Sequence, residues 1–125
     1  MKITGFRPLI VSQNAEEIAS LFEELGFEKR HTKRDIEEGV DHSYAMKDAD
    51  GHYVNITSAE NMPRDLTIVS MNVDNFQEAY DFLIARGFTD PRGDKVTNTG
   101  SSVATMLISP SGFPISISEH IKNRD

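Results

Sequence analysis

Apolar and polar positions alternate along this chain in two rhythms, and the rhythm changes at matching places in its two halves. The stretches Ile3 to Val11 and Leu66 to Val73 are short and rich in β-branched residues, which predicts a strand at the head of each half. Apolar residues then recur at steps of three and four: Ile18, Leu21, Phe22 and Leu25 in the first half, Ala79, Phe82 and Leu83 in the second. That spacing predicts a helix with one apolar stripe in each half. Gly26 and Gly87 end these helices, since glycine enters the left-handed conformation of a helix C-terminus without a Cβ clash. At the other ends, Asn14 with Glu17 and Asp74 with Gln77 have the spacing at which a side-chain oxygen caps free amides. After each helix the period falls to two, predicting strands over Glu28 to Asp35, Asp41 to Lys47 and His52 to Ser58, then Lys95 to Thr99, Ser102 to Ser109 and Phe113 to Ser118. Pro91, Gly93 and Asp94 interrupt the pattern between Thr89 and Gly100, where a loop is expected.

The halves are copies of one plan. Gly26-Phe27 recurs as Gly87-Phe88, and the turn and alternating stretch from Asp50 to Thr57 recurs from Ser111 to Ser118, both at an offset of about 61 residues. The predicted order is β-α-β-β-β, twice, in a single domain over 1–125, with module one at 1–61 and module two at 65–120. The polar stretch from Glu60 to Asp65, with Pro63 in it, reads as the connector.

Composition narrows what such a unit can do. Leu, Ile, Val and Phe make up 31 of 125 residues, enough for a folded core. The formal charge is -7, and the densest basic group, Arg30, Lys33 and Arg34, is followed at once by Asp35, Glu37 and Glu38. A polyanion would meet net repulsion, so no nucleic acid partner is expected. Without cysteine there is no disulfide, thiolate metal site or cysteine nucleophile. No apolar run approaches the length of a membrane span, and Gly5, Arg7 and Pro8 break up any signal-like segment, so the expectation is a cytoplasmic protein with no membrane partner. No H-E-x-x-H, phosphate loop, G-x-S-x-G or dinucleotide glycine motif is present.

The doubled β-α-β-β-β order, with Leu25-Gly26-Phe27 closing the first helix and a turn ending in Gly51 or Gly112 before each last strand, resembles the vicinal oxygen chelate superfamily. That superfamily includes glyoxalase I, extradiol dioxygenases, and fosfomycin and bleomycin resistance proteins. The resemblance covers the whole chain. It implies an α+β fold of two tandem βαβββ modules forming a curved, cup-shaped mixed sheet, with helices on the convex face. Metal-dependent members place His, Glu or Gln near the start of each module's first strand and in each last strand. Those places match Phe6, Asn55, Ile68 and Ser116 here. Phe and Ile have no donor atom, and Ser and one Asn do not hold a catalytic ion that takes three His or carboxylate ligands, so neither metal nor cofactor is expected.

Strand parity assigns the faces. Val54 and Ile56, and Ile115 and Ile117, should pack under the helices, leaving Tyr53, Asn55 and Thr57, and Pro114, Ser116 and Ser118, in the cup. Leu9 and Val11 are expected under the first helix, with Phe6, Pro8 and Ile10 in the cup. In the same way Val69, Met71 and Val73 leave Ile68, Ser70 and Asn72 facing the cup. His42 shares parity with Tyr44 and Met46, and all three are expected to look into it. The candidate ligand-binding residues are thus Phe6, Tyr44, Met46, Tyr53, Asn55, Ile68, Ser70 and Ser116, with the tyrosines as stacking faces. His31, His52 and His120 read as solvated surface residues, and Glu16, Glu17, Glu23 and Glu24 as a solvated helix face.

The expected function is a metal-free binding protein, similar to bleomycin resistance proteins, holding a small organic molecule, cationic or aromatic, in the cup. The alternative is a glyoxalase-related lyase, isomerase or dioxygenase that recruits metal through His42, His52, His120 or Glu119, or uses His42 as a general base. A homodimer is expected because Phe6, Pro8, Ile10 and Ile68 would otherwise leave apolar surface uncovered.

Overall fold

The computed structural model describes all residues except 38, 39, 61, 92, 94, 95, 99–101 and 121–125, and no side chain at 31, 33–37, 40–42, 97 or 98. Its fold is α+β. The elements are β1 (Ile3–Ser12), α1 (Ala15–Glu24), β2 (Glu28–Glu37), β3 (Val40–Lys47), β4 (Tyr53–Ser58), β5 (Leu66–Val73), α2 (Phe76–Ile84), β6 (Thr97–Asn98), β7 (Ser102–Ile108) and β8 (Pro114–His120). Strand, helix and three strands therefore occur in that order twice. Among the described residues no helix is long and apolar enough to cross a membrane. The chain divides into two compact units, Arg7–Thr67 and Met1–Phe6 with Ile68–Asp125.

In the unit Arg7–Thr67 the strands run in the order β2-β3-β4-β1. β1 pairs with β4 in parallel, Leu9 beside Asn55 and Ile10 beside Ile56. β4 pairs antiparallel with β3, placing Val54 beside Met46 and Ile56 beside Tyr44. Paired residues share a face, so each row of the sheet has one orientation. On one face Tyr44, Met46, Val54 and Ile56 pack with Ala15 and Ala19 of α1, and Ile10, Ile18, Phe22 and Phe27 lie against them. Burial of each large apolar side chain here contributes about 1.5–3 kcal/mol.

This core corrects three expectations. The β1 parity is reversed: Ile10 packs under α1, while Leu9 shares the row of Asn55 on the opposite face. Tyr44 and Met46 are core residues rather than ligand-facing ones, Tyr44 being only 1% exposed. The stripe of α1 runs through Ala15, Ile18, Ala19 and Phe22, leaving Leu21 and Leu25 exposed. Two small alanines let the helix approach the large side chains of β3 and β4, a fit that step-counting of large residues misses.

In the other unit β5 pairs with β8 in parallel, β8 with β7 antiparallel, and β7 with the two-residue β6. Val73, Phe76, Ala79, Leu83, Leu107, Ile115 and Ile117 form its core, with Val69, Met71 and Tyr80 packed against it. The β5 and β8 parities are as the alternation predicts. Phe82 is exposed, with the Arg86 guanidinium 3.5 Å above its ring.

Both helices end as expected. Gly26 (φ 106°) and Gly87 (φ 95°) are left-handed, and the amides of Phe27 and Phe88 reach back to the carbonyls of Phe22 and Leu83. The starts differ. Asn75, not Asp74, caps α2, its Oδ1 accepting from the Glu78 amide at 3.0 Å. Asp74 instead accepts the Lys2 amide at 2.7 Å. Asn14 makes no side-chain cap, and its own amide donates to Ser12 Oγ.

Candidate functional site

On the face of β1, β3 and β4 that turns away from α1, the rows carry a different chemistry. Alternation and register place Arg7, Leu9 and Val11 of β1, Tyr53, Asn55 and Thr57 of β4, and Ser43, Ala45 and Lys47 of β3 there together. The row of Thr57 and Ser43 is closed by a hydrogen bond of 3.1 Å between their hydroxyls. At the other end the Arg7 guanidinium lies 4.1 Å from the centre of the Tyr53 ring, and the Lys47 ammonium lies 5.2 Å from it. Arg7 Nη1 also donates to Asn55 Oδ1 across 3.5 Å.

Local sequence explains this placement. Arg7 precedes Pro8, which holds it in extended backbone. Pro8 has no amide to give a ladder, and the β1–β4 register begins one residue later at Leu9. Tyr53 and Lys47 are register partners on either side of the β3–β4 turn, so their side chains stand side by side. Tyr53 is 39% exposed, open enough to meet a solute.

That turn holds another titratable group. Among the described residues, the potential ligand atoms of Asp48, Asp50 and His52 lie within 4.8 Å of one another. Asp48 is committed to the turn: Oδ1 accepts the amides of Asp50 and His52, and Oδ2 meets His52 Nδ1 at 2.8 Å. The hydrogen bond from His52 holds the Asp48 carboxyl below its ordinary value, and the same bond raises the His52 imidazole. Asp50 and His52 are exposed, Asp48 is half-buried, and the three form a turn clasp.

In the other unit, Ser70, Ser116 and Met106 share one row on the face away from α2, and Asn72 and Ser118 share the next. Ser118 Oγ donates to Asn72 Oδ1 at 2.6 Å. A Cβ on Gly5 would come within 3.0 Å of Asn72 Nδ2, so only glycine leaves that amide undisturbed. Ile68 is on this face as expected but is 4% exposed, too buried to meet a ligand directly.

The structure thus brings together Tyr53 and Asn55 in one unit and Ser70 and Ser116 in the other. Phe6 shares β1 parity with Ile10 rather than with the site and is 65% exposed. Burial of Ile68 and packing of Ile10 also remove two of the four apolar residues on which dimerisation was expected. Glu119, an alternative metal ligand, accepts the Phe76 amide at the start of α2 at 2.7 Å. The side chains of His42 and His31 lie outside the described residues, as do those of Lys33 and Arg34. Arg7 and Lys47 were not predicted. The signal for Lys47 was its alternation with Tyr44 and Met46, since the bulkier apolar set belongs to the core. In β1 both parities are apolar, and no signal separated them.

No family model and no curated protein matches the chain by sequence. Solved structures do match by fold. Methylmalonyl-CoA epimerase from Mycobacterium tuberculosis superposes with a TM-score of 0.72 at 10% identity, over 94% of this chain and 89% of that one. A variant of methylmalonyl-CoA epimerase from Streptomyces coelicolor, in complex with 2-nitronate-propionyl-CoA, gives a TM-score of 0.69 at 14% identity, over 97% and 98%. A glyoxalase/bleomycin resistance protein/dioxygenase superfamily member from Vibrio splendidus 12B01 gives 0.59 at 16% identity, over 92% and 97%. The fold of this chain, with its doubled strand-helix-strand-strand-strand order, is the vicinal oxygen chelate fold.

Proposed function

We propose that this chain is a metal-free small-molecule binding protein whose ligand seats on the sheet face away from α1, against Tyr53 and Asn55. The observation that carries this reading is the arrangement around Tyr53, where Arg7 and Lys47 meet one half-open ring and Arg7 donates to Asn55, on strands whose other face is packed core. A rigid sheet with one committed face offers its other face as a preorganised platform. Support for a small-molecule role also comes from the solved epimerase of this fold that holds an acyl-CoA analogue. The absence of metal rests on donor chemistry: Phe6 and Ile68 have no ligand atom, and Asn55 and Ser116 are neutral and weak. Exposed Phe6 and Pro8 support the further proposal of a homodimer, which sedimentation would check.

The test is a panel of small organic molecules of each charge type, screened by thermal shift and calorimetry against the wild type, Tyr53→Ala and Asn55→Ala. A compound bound by the wild type should bind both variants weakly. Unchanged affinity in both would place the site elsewhere. Elemental analysis after exposure to Zn, Ni, Mn and Fe(II) should give no tightly held ion, and about one per chain would overturn the metal-free reading.

A further inference from the structure

The net charge of -7 favours encounter with cations, but the groups that would touch a ligand have the opposite sign. On the proposed binding face Arg7 and Lys47 stand beside the same ring, 4.1 and 5.2 Å from its centre. Neither has a carboxylate within ion-pair distance among the described residues. The nearest register partner that could neutralise Lys47 is Glu28 of β2, and its carboxylate is paired with Arg30 at 3.8 Å. Acidic residues outnumber basic ones 20 to 13, so two half-buried cations at one ring, neither in an ion pair among the described residues, go against the composition.

Arginine geometry sharpens the point. A guanidinium has five N–H donors in one plane and no acceptor. Arg7 Cζ lies 4.1 Å from the centre of the Tyr53 ring, and Nη1 donates toward Asn55 Oδ1 at the long distance of 3.5 Å. That bond engages one of the five donors, and the others have no partner among the described residues. A fork of donors and an ammonium, reaching one ring from the strands on either side of it, suit an oxyanion and not a cation.

We infer that the ligand of this face carries a carboxylate or phosphate group, which Arg7 binds through the unpartnered donors of its guanidinium with Lys47 supplying a second charge. The inference rests on the placement of the site proposed above and replaces the expectation of a cationic ligand. Asn55 and the Tyr53 ring then orient the anion, and the apolar Leu9 and Ala45 of the neighbouring row meet the rest of the molecule.

The experiment is amide chemical-shift titration of the full chain with sodium phosphate and with sodium malonate, against sodium chloride at matched ionic strength. Wild type, Arg7→Gln, Arg7→Lys, Lys47→Gln and, as a charge-matched control, Arg64→Gln would be compared. Saturable shifts at Leu9, Tyr53 and Asn55 are expected with at least one of the two oxyanions. Arg7→Gln should weaken binding about tenfold or more, the loss expected for a charged hydrogen-bond donor. Arg7→Lys, which keeps the charge but loses the fork, should fall between, and this comparison holds even if Arg7→Gln folds poorly. Arg64→Gln should change affinity by less than about twofold. Shifts no different from those in chloride, or equal affinity in wild type and both Arg7 variants, would overturn the inference. If neutral or cationic compounds move Tyr53 and Asn55 while the oxyanions do not, the anion inference fails and the site stands. If no compound of any charge moves them, both fail.

Discussion

Truncating Tyr44 and Tyr53 separately should give opposite results, because the two tyrosines sit on opposite faces of one sheet. Tyr44 is 1% exposed beneath α1, its hydroxyl bonded to the Glu16 carboxylate and its ring 4.2 Å from the Lys29 ammonium. Tyr44→Ala leaves a cavity among Met46, Ile56, Ala15 and Ala19 and takes the hydroxyl from Glu16 and the ring from Lys29. Removal of a buried aromatic ring costs about 3–5 kcal/mol. With an unfolding entropy scaled to 125 residues, a loss near the middle of that range lowers Tm by about 15 °C. Tyr53 is 39% exposed and gives up two surface cation–π contacts, a loss of about 1–2 kcal/mol. Thermal and urea unfolding of both variants, with ligand affinity measured on each, gives the comparison. Tyr44→Ala should be much less stable, and Tyr53→Ala only modestly less stable than the wild type but deficient in binding. Equal destabilisation, or a stable Tyr44→Ala that has lost its ligand, would refute the assignment of faces.

Further outcomes follow from particular contacts. Gly26→Ala should cost about 1 kcal/mol in unfolding experiments for its positive φ alone, since nothing lies within 4 Å of the added Cβ. Gly87→Ala should cost clearly more, because that Cβ would stand 2.9 Å from Pro110 Cγ. Asn75→Ala removes a formed cap and should cost about 1 kcal/mol, whereas Asn14→Ala removes none and should cost little. NMR titration should find His52 above 6.5, returning toward it in Asp48→Asn. The sign follows from linkage: a raised imidazole stabilises fully below 6.5 and ceases to as pH rises through its folded value. Asp48, lowered from 3.8, stabilises above that value and stops as pH falls through its folded one. The stability difference between wild type and His52→Gln should therefore be largest between those limits and close at alkaline pH.

Much of the fold was legible because its signals are local and doubled. Gly26 and Gly87 end helices by a backbone requirement that no neighbour can change, and the alternation of Val54 with Asn55 and of Ile115 with Ser116 sorts polar from apolar cleanly. The site was legible only where that sorting worked. In β1 the run Pro8-Leu9-Ile10-Val11 is apolar on both parities, so only the pairing of Ile10 with Ile56 decides which side turns inward. Tyr44 misled for a different reason. Its ring suggests a stacking face for a ligand, yet the ring is buried in the core and its hydroxyl is bonded to Glu16. With β1 inverted, Phe6 and Ile10 left the candidate face and Arg7 entered it. That exchange replaced an apolar wall with a cation, and with it the kind of ligand the face suits.

The most direct test of the central claim is a crystal structure of the chain with the tightest-binding compound of the panel. The account predicts the compound on the β1–β3–β4 face away from α1, against the Tyr53 ring and within hydrogen-bonding distance of Arg7 or Asn55. A compound seated under α1, at the Asp48–His52 turn, or on the Ser70–Ser116 face alone would contradict it.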